Sequence, residues 1–221
     1  MRFGALWSIL SAAGLMAACA SSPTSNFYTL AGPTGASAQP ATSSVPFYFE
    51  LAPVDMPQQV AKNQLVVQTS PAQVKVLEDE RWASLPADEV RRALSADLTQ
   101  RLGSIDVYGT AAPPSAKVYR VKVSVQRFES WPGSQAVIDA VWSVHTAGAD
   151  AVMTCRTVAP ERVEKGYDAL VAGHRKAVDE IAAAISAGVR SLGSMPASSK
   201  TKSVPCPASG TMTNVTNAQA Q

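Results

Sequence analysis

Histidine is almost missing from this chain. His145 and His174 are the only two in 221 residues. No G-x-S-x-G elbow, H-E-x-x-H pair or phosphate loop occurs, so the common hydrolase, zinc-protease and nucleotide-binding signatures are excluded. Charged residues make up 16% of the chain and aromatics 6%, and the formal charge is +2 with no basic tract, which argues against a nucleic-acid partner. Beyond the first 18 residues no apolar run is long enough to cross a bilayer. The three cysteines fit neither a zinc site nor a C-x-x-C redox pair.

What is present concentrates at the start. Phe3 to Ala18 is apolar behind a single Arg2, and Met16-Ala17-Ala18-Cys19 reads as a lipobox followed at once by polar residues. Residues 1–18 are therefore expected to be a lipoprotein signal peptide. Cys19 would become the mature N-terminus, carrying a diacylglycerol thioether and an N-acyl chain. An ordinary signal peptide cut near Cys19, or a short anchor, is the other reading of the same residues. Several acyl chains anchor stably where one does not. Ala20, in place of an aspartate, favours the outer membrane and its periplasmic face. From Cys19 to the first strand-like residues is about eight positions, a tether of at most roughly 28 Å.

The two remaining cysteines, Cys155 and Cys206, suggest a disulfide in an oxidising compartment. It would close a loop of roughly 50 residues, about 4 kcal/mol in the chain-entropy description. Two unpaired thiols, one in a strand and one in a loose tail, is the alternative.

Residues 19–193 read as one domain, with a Gly/Ser/Pro/Thr-rich linker over about 31–45 and an expectedly disordered tail over 194–221, save near Cys206. Short strands are expected at Phe27–Leu30, Phe47–Val54, Leu65–Val67, Val74–Leu77 and Ile105–Tyr108. Glu78-Asp79-Glu80 reads as a solvated turn. Val90, Leu94, Leu98 and Leu102 lie on one helical face opened by Pro86 and closed by Gly103. Tyr119, Val121, Val123 and Val125 alternate with polar residues. Trp131-Pro132-Gly133-Ser134 fits a type II turn, and Ala136 to Val144 alternate on the return. A strand over Ala151–Val158 follows. Tyr167, Leu170, Val171, His174, Val178, Ile181, Ile185 and Val189 form the apolar stripe of a second helix stopped by Gly193 and Pro196. The expected class is α/β: a mixed sheet, two main helices and one long antiparallel hairpin.

Three segments together resemble a known family: Cys19 to Leu30 with its aromatic-Tyr-x-Leu end; Leu51-Ala52-Pro53-Val54-Asp55-Met56-Pro57 followed by Gln64-Leu65-Val66; and Arg81-Trp82-Ala83-Ser84-Leu85-Pro86 leading into the first helix. In that order and spacing they are similar to the ABC-type transport auxiliary lipoproteins, the PqiC-like proteins, over roughly Cys19 to Leu192. The resemblance implies a three-layer α/β sandwich. It also implies a non-enzymatic role without cofactors, docking the periplasmic part of a lipid transport machine at the outer membrane. The implied partners are a protein with mammalian-cell-entry (MCE) domains and the inner-membrane transporter components.

Among site candidates, Arg81, Trp82 and Trp131 are the partner-binding set. Trp82 could equally cap the core, and Trp131 could fold back on its own hairpin. Arg120 and Lys122 read as a solvated face, and His174 as a packed histidine. An open hairpin edge could build a homo-oligomer. The competing function is a carrier that itself holds a lipid or another apolar ligand.

Overall fold

A computed structural model describes residues 24–31, 47–195 and 203–207. The signal peptide, Cys19, nearly all of the linker and most of the tail lie outside the described residues. Eight strands and two helices follow in the order β1 (Asn26–Tyr28), β2 (Phe47–Leu51), β3 (Gln64–Ser70), β4 (Gln73–Trp82), α1 (Pro86–Leu102), β5 (Lys117–Trp131), β6 (Gln135–Thr146), β7 (Val152–Arg162), α2 (Tyr167–Gly193) and β8 (Ser203–Val204). The class is the mixed α/β one that the sequence suggests. The strands nevertheless divide between two sheets where one was expected: β1-β4-β3, and β2-β5-β6-β7-β8.

The larger sheet is built on the long hairpin. Gly133 takes φ 69° at the turn, and the Ser134 N–H donates to Trp131 O at 3.0 Å. The alternation that begins at Tyr119 does not run through. Val125 pairs with Ala140 and Arg127 with Asp139, so Gln126 is an extra residue in the ladder. This bulge reverses the parity, and Phe128 and Ser130 thereafter point into the core with Val121 and Val123. The other side of the strand carries Arg127, Glu129 and Trp131.

Helix α2 lies on the core face of β5, β6 and β7. Two glycines permit the close approach. A Cβ on Gly188 would sit 3.0 Å from the Trp142 ring and from Met153 Sδ, and one on Gly173 would sit 2.3 Å from Val163 Cγ1. Helix α1 packs along α2. Its Arg91 donates to Leu51 O at 3.1 Å, tying it to β2. Its C-terminus closes on Gly103 at φ 62°, whose N–H donates to Thr99 O. Residues 105–108 make only an isolated bridge, Phe49 to Asp106, instead of the expected strand. Asp106 accepts from Arg91, Ser95, the Leu51 N–H and the Tyr108 N–H, which holds it as a polar knot.

In the smaller sheet the acidic run is not a turn. The turn is at Pro71-Ala72, and Glu78, Asp79 and Glu80 lie within β4. Leu65 pairs with Leu77 but Gln64 with Arg81, so three extra residues bulge there. Parallel pairing of Asn26, Phe27 and Tyr28 with Glu80, Arg81 and Trp82 holds the far end of that bulge extended.

Cys155 and Cys206 form a disulfide with Cα atoms 5.8 Å apart. It fastens the segment holding β8 along the start of β7, where Val152 pairs with Ser203 and Met153 with Val204.

Candidate docking surfaces and the N-terminal attachment

The segment nearest the cysteine at position 19 is bolted to both helices. Glu89, in the first turn of α1, is wholly buried. Its carboxylate accepts from Thr29 Oγ1 at 2.8 Å, the Leu30 N–H at 2.9 Å, Ser84 Oγ at 2.6 Å and Arg92 at 2.5 Å. Burial alone would raise its pKa, but the hydrogen bonds from Ser84, Thr29 and Leu30 and the Arg92 charge outweigh it and hold it below the ordinary glutamate value. Arg175 of α2 donates to Leu30 O. Leu30 thus has its N–H on one helix, its C=O on the other and its side chain in the core. Upstream, Tyr28 Oη donates to Glu80 at 2.5 Å and Asn26 Nδ2 to the same carboxylate at 3.1 Å. Burial first, then that hydrogen bond and the Glu80 charge, raise the Tyr28 pKa.

Behind this attachment sits an aromatic cluster. Trp82 is 2% exposed, with its ring edge-on to Phe128 at 6.0 Å and to His174 at 6.2 Å. Phe128 stacks flat on His174 at 4.1 Å. His174 Nε2 shares a 2.8 Å hydrogen bond with Ser130 Oγ, and burial lowers its pKa to about 3, so the ring is neutral. The structure therefore corrects one partner-binding expectation. Trp82 is spent on the core because its strand, paired to β1 on one side, turns the ring inward. His174 is packed. Arg81, the next residue back, points the other way beside Phe27, with Nε donating to Glu78 O at 2.7 Å.

The core face of the five-stranded sheet is covered by α2, while its other face is open. On β7, Val152, Thr154, Arg156, Val158 and Pro160 are all exposed. Across this face run four ion pairs: Arg120–Glu50, Lys122–Asp55, Arg127–Glu129 and Arg156–Asp139. Asp139 is fully buried beneath its neighbours yet stays ionised, because the Arg156 hydrogen bonds, at 2.8 and 2.6 Å, hold its pKa below the usual aspartate value against the cost of burial. Trp131 lies at the hairpin end of the same face, half-buried, its indole N–H donating to Glu129 at 3.1 Å. It folds back on its own strand and keeps one side to solvent. The face is charge-matched within itself, so it would suit a protein surface better than a polyanion.

A cleft of about 380 Å³ lies between Phe47, Lys117, Tyr119, Val189, Arg190 and Gly193. Its size is at the low end of ligand pockets. Lys117 sits over the Tyr119 ring and Arg190 donates to Arg101 O, so neither cation is aimed into the space as a ready ligand. No group of three metal-ligating side chains occurs among the described residues.

Residues 28–186 match the family model described as ABC-type transport auxiliary lipoprotein component. No curated protein matches the chain. Among solved structures, an uncharacterized protein is 21% identical with a TM-score of 0.60, covering 76% of this chain and 99% of its own. A Xanthomonas campestris protein of the DUF330 family is 17% identical with a TM-score of 0.50, covering 67% of this chain and 87% of its own. At these identities the likeness shows the shared fold.

Proposed function

We propose, from the premise that this chain belongs to the ABC-type transport auxiliary lipoprotein family, that it is an outer-membrane lipoprotein on the periplasmic side. There it docks the periplasmic part of an MCE-type lipid transport machine. The attachment of Thr29 and Leu30 to Glu89 and Arg175 carries this reading. A lipid on Cys19 would hold a rigid body, since the chain is locked to both helices within about a dozen residues of the anchor. A tether that ends in a bolted joint suits holding another assembly at a fixed height. Family membership supplies the transport context. The open sheet face bearing Trp131, Arg127 and Arg156 is the surface we assign to the partner.

The anchor is tested by replacing Cys19 with alanine behind an ordinary cleavable secretory signal in place of residues 1–18, and fractionating cells. The expected result is a folded body released from the membrane fraction, protease-resistant to the same degree as the parent. A Cys19→Ala protein that is cleaved from that signal and still stays with the membranes would refute the lipid anchor.

The cleft beside Tyr119 is the place where the carrier alternative would show itself, as copurified lipid on a body lacking the anchor.

A further inference from the structure

Three of the eight large hydrophobic side chains exposed among the described residues sit on one face of the small sheet: Phe27 (66% exposed), Val74 and Val76. The register places them together. Leu65, Leu77, Tyr28 and Trp82 point to the core, so their alternates Val66, Val76, Val74, Arg81 and Phe27 share the outward face. Val66, on the edge strand β3, is buried with the core and adds little to the exposed surface. The exposed apolar members of this face are thus Phe27, Val74 and Val76, with Arg81 beside Phe27 on the central strand and Gln64 and Gln68 along β3.

We infer that this outward face of β1-β4-β3 rests on the phospholipid surface to which the protein is anchored. This rests on the lipoprotein reading above. The argument is one of reach. From Cys19 to Asn26 the chain can span at most about 25 Å. A body of some 175 residues is roughly 40 Å across, so its far side lies about 60 Å away around the surface. A tether of that length cannot wrap the molecule. Whatever part of the body meets the membrane must lie near β1, and the apolar outward face of the sheet containing β1 lies there. Phe27 is eight residues from the anchor, and aromatic rings favour the headgroup level. The neighbouring charges set the lipid chemistry. Arg81 stands beside Glu78, Asp79 and Glu80, so the patch is not basic. Contact with zwitterionic headgroups through apolar side chains, insensitive to salt, is the expected mode.

The test uses the full-length lipidated protein in zwitterionic phosphatidylcholine vesicles, with and without brominated acyl chains as tryptophan quenchers. Phe27→Trp adds an indole to this face, and Val158→Trp adds one to the open face of the large sheet. Both positions are exposed, so unchanged unfolding midpoints are expected. The added emission of Phe27→Trp should fall about twofold in brominated vesicles, and that of Val158→Trp should not change. Quenching of Val158→Trp alone would overturn the inference. So would no quenching of either in a protein that still floats with the vesicles, and in that case the anchor stands. A protein that does not float with the vesicles overturns both the inference and the lipoprotein reading beneath it.

Discussion

Trp82→Ala should lower the stability of the folded body by about 4 kcal/mol, the cost of emptying a fully enclosed aromatic site. The ring has no exposed face of its own. It closes the stack formed by Phe128 and His174 and joins the small sheet to α2. Its loss should also change the acid response. In the parent, His174 titrates near 3 when folded and near 6.5 when unfolded. The unfolded chain then takes up a proton that the native state refuses. The His174 contribution to stability is therefore complete above about 6.5 and falls as the pH drops from there towards 3, by up to about 1.4 kcal/mol per pH unit. Water admitted by the missing indole would bring the folded value back up and flatten that slope. Urea melts of the mature protein at pH 7 and pH 5 read both effects. Trp131→Ala is the contrast. Its ring is half in solvent, and its removal should change stability by less than about 1 kcal/mol. Equal losses for the two tryptophans would contradict the placement of Trp82.

The second large effect belongs to Glu89. Glu89→Ala leaves a buried Leu30 N–H, two hydroxyls and the Arg92 guanidinium without their acceptor, and should cost about 3 kcal/mol. Arg92 is half exposed, so most of the loss comes from the other three donors. The consequence reaches beyond stability. The Thr29–Leu30 end would come away from α1, while β1 pairing, the Tyr28 and Asn26 bonds to Glu80 and Arg175 still hold the rest, and the effective tether would lengthen. Hydrogen exchange at the Leu30 amide should accelerate by orders of magnitude towards the rate of an open chain. The pH dependence is opposite in origin to a raised group. The folded pKa of Glu89 is depressed, so its contribution is present above the ordinary glutamate value near 4.5 and is lost as the pH falls through the folded value. The variant should lack that acid loss. A Leu30 amide that stays protected in Glu89→Ala would show that the joint lies elsewhere.

Parts of this architecture are plain in the sequence because the signals are local. The stripe from Tyr167 to Val189 predicts α2, and the Pro132-Gly133 turn with alternating arms predicts the hairpin. The bulge at Gln126 had a local signal too: Val125 and Phe128 are three apart where alternation demands two. The division into two sheets had none, since it depends on β1 reaching across more than fifty residues to pair with Glu80 and Arg81. Glu89 shows the same limit. In the sequence it is an acid that suits a helix N-terminus. Its burial arises from Thr29 and Leu30, sixty positions earlier, and nothing near it announces them. The acidic run at Glu78 reads as a solvated turn because its extended state comes from pairing with β1. Trp82 was open to either reading, as an aromatic between a strand and a helix carries no mark of which way it faces. The ion pair of Arg156 with Asp139 is likewise invisible until β6 and β7 are in register.

The most direct measurement is an in-cell photocrosslink from position 131 or 158 on the open face of the large sheet, followed by mass spectrometry of the captured protein. Capture of a transport component bearing MCE domains, lost when the open face is altered at Arg156 and retained in Val76→Glu on the membrane side, is the expected result. Capture of this same chain alone, or of no protein from either position, would contradict docking through that face.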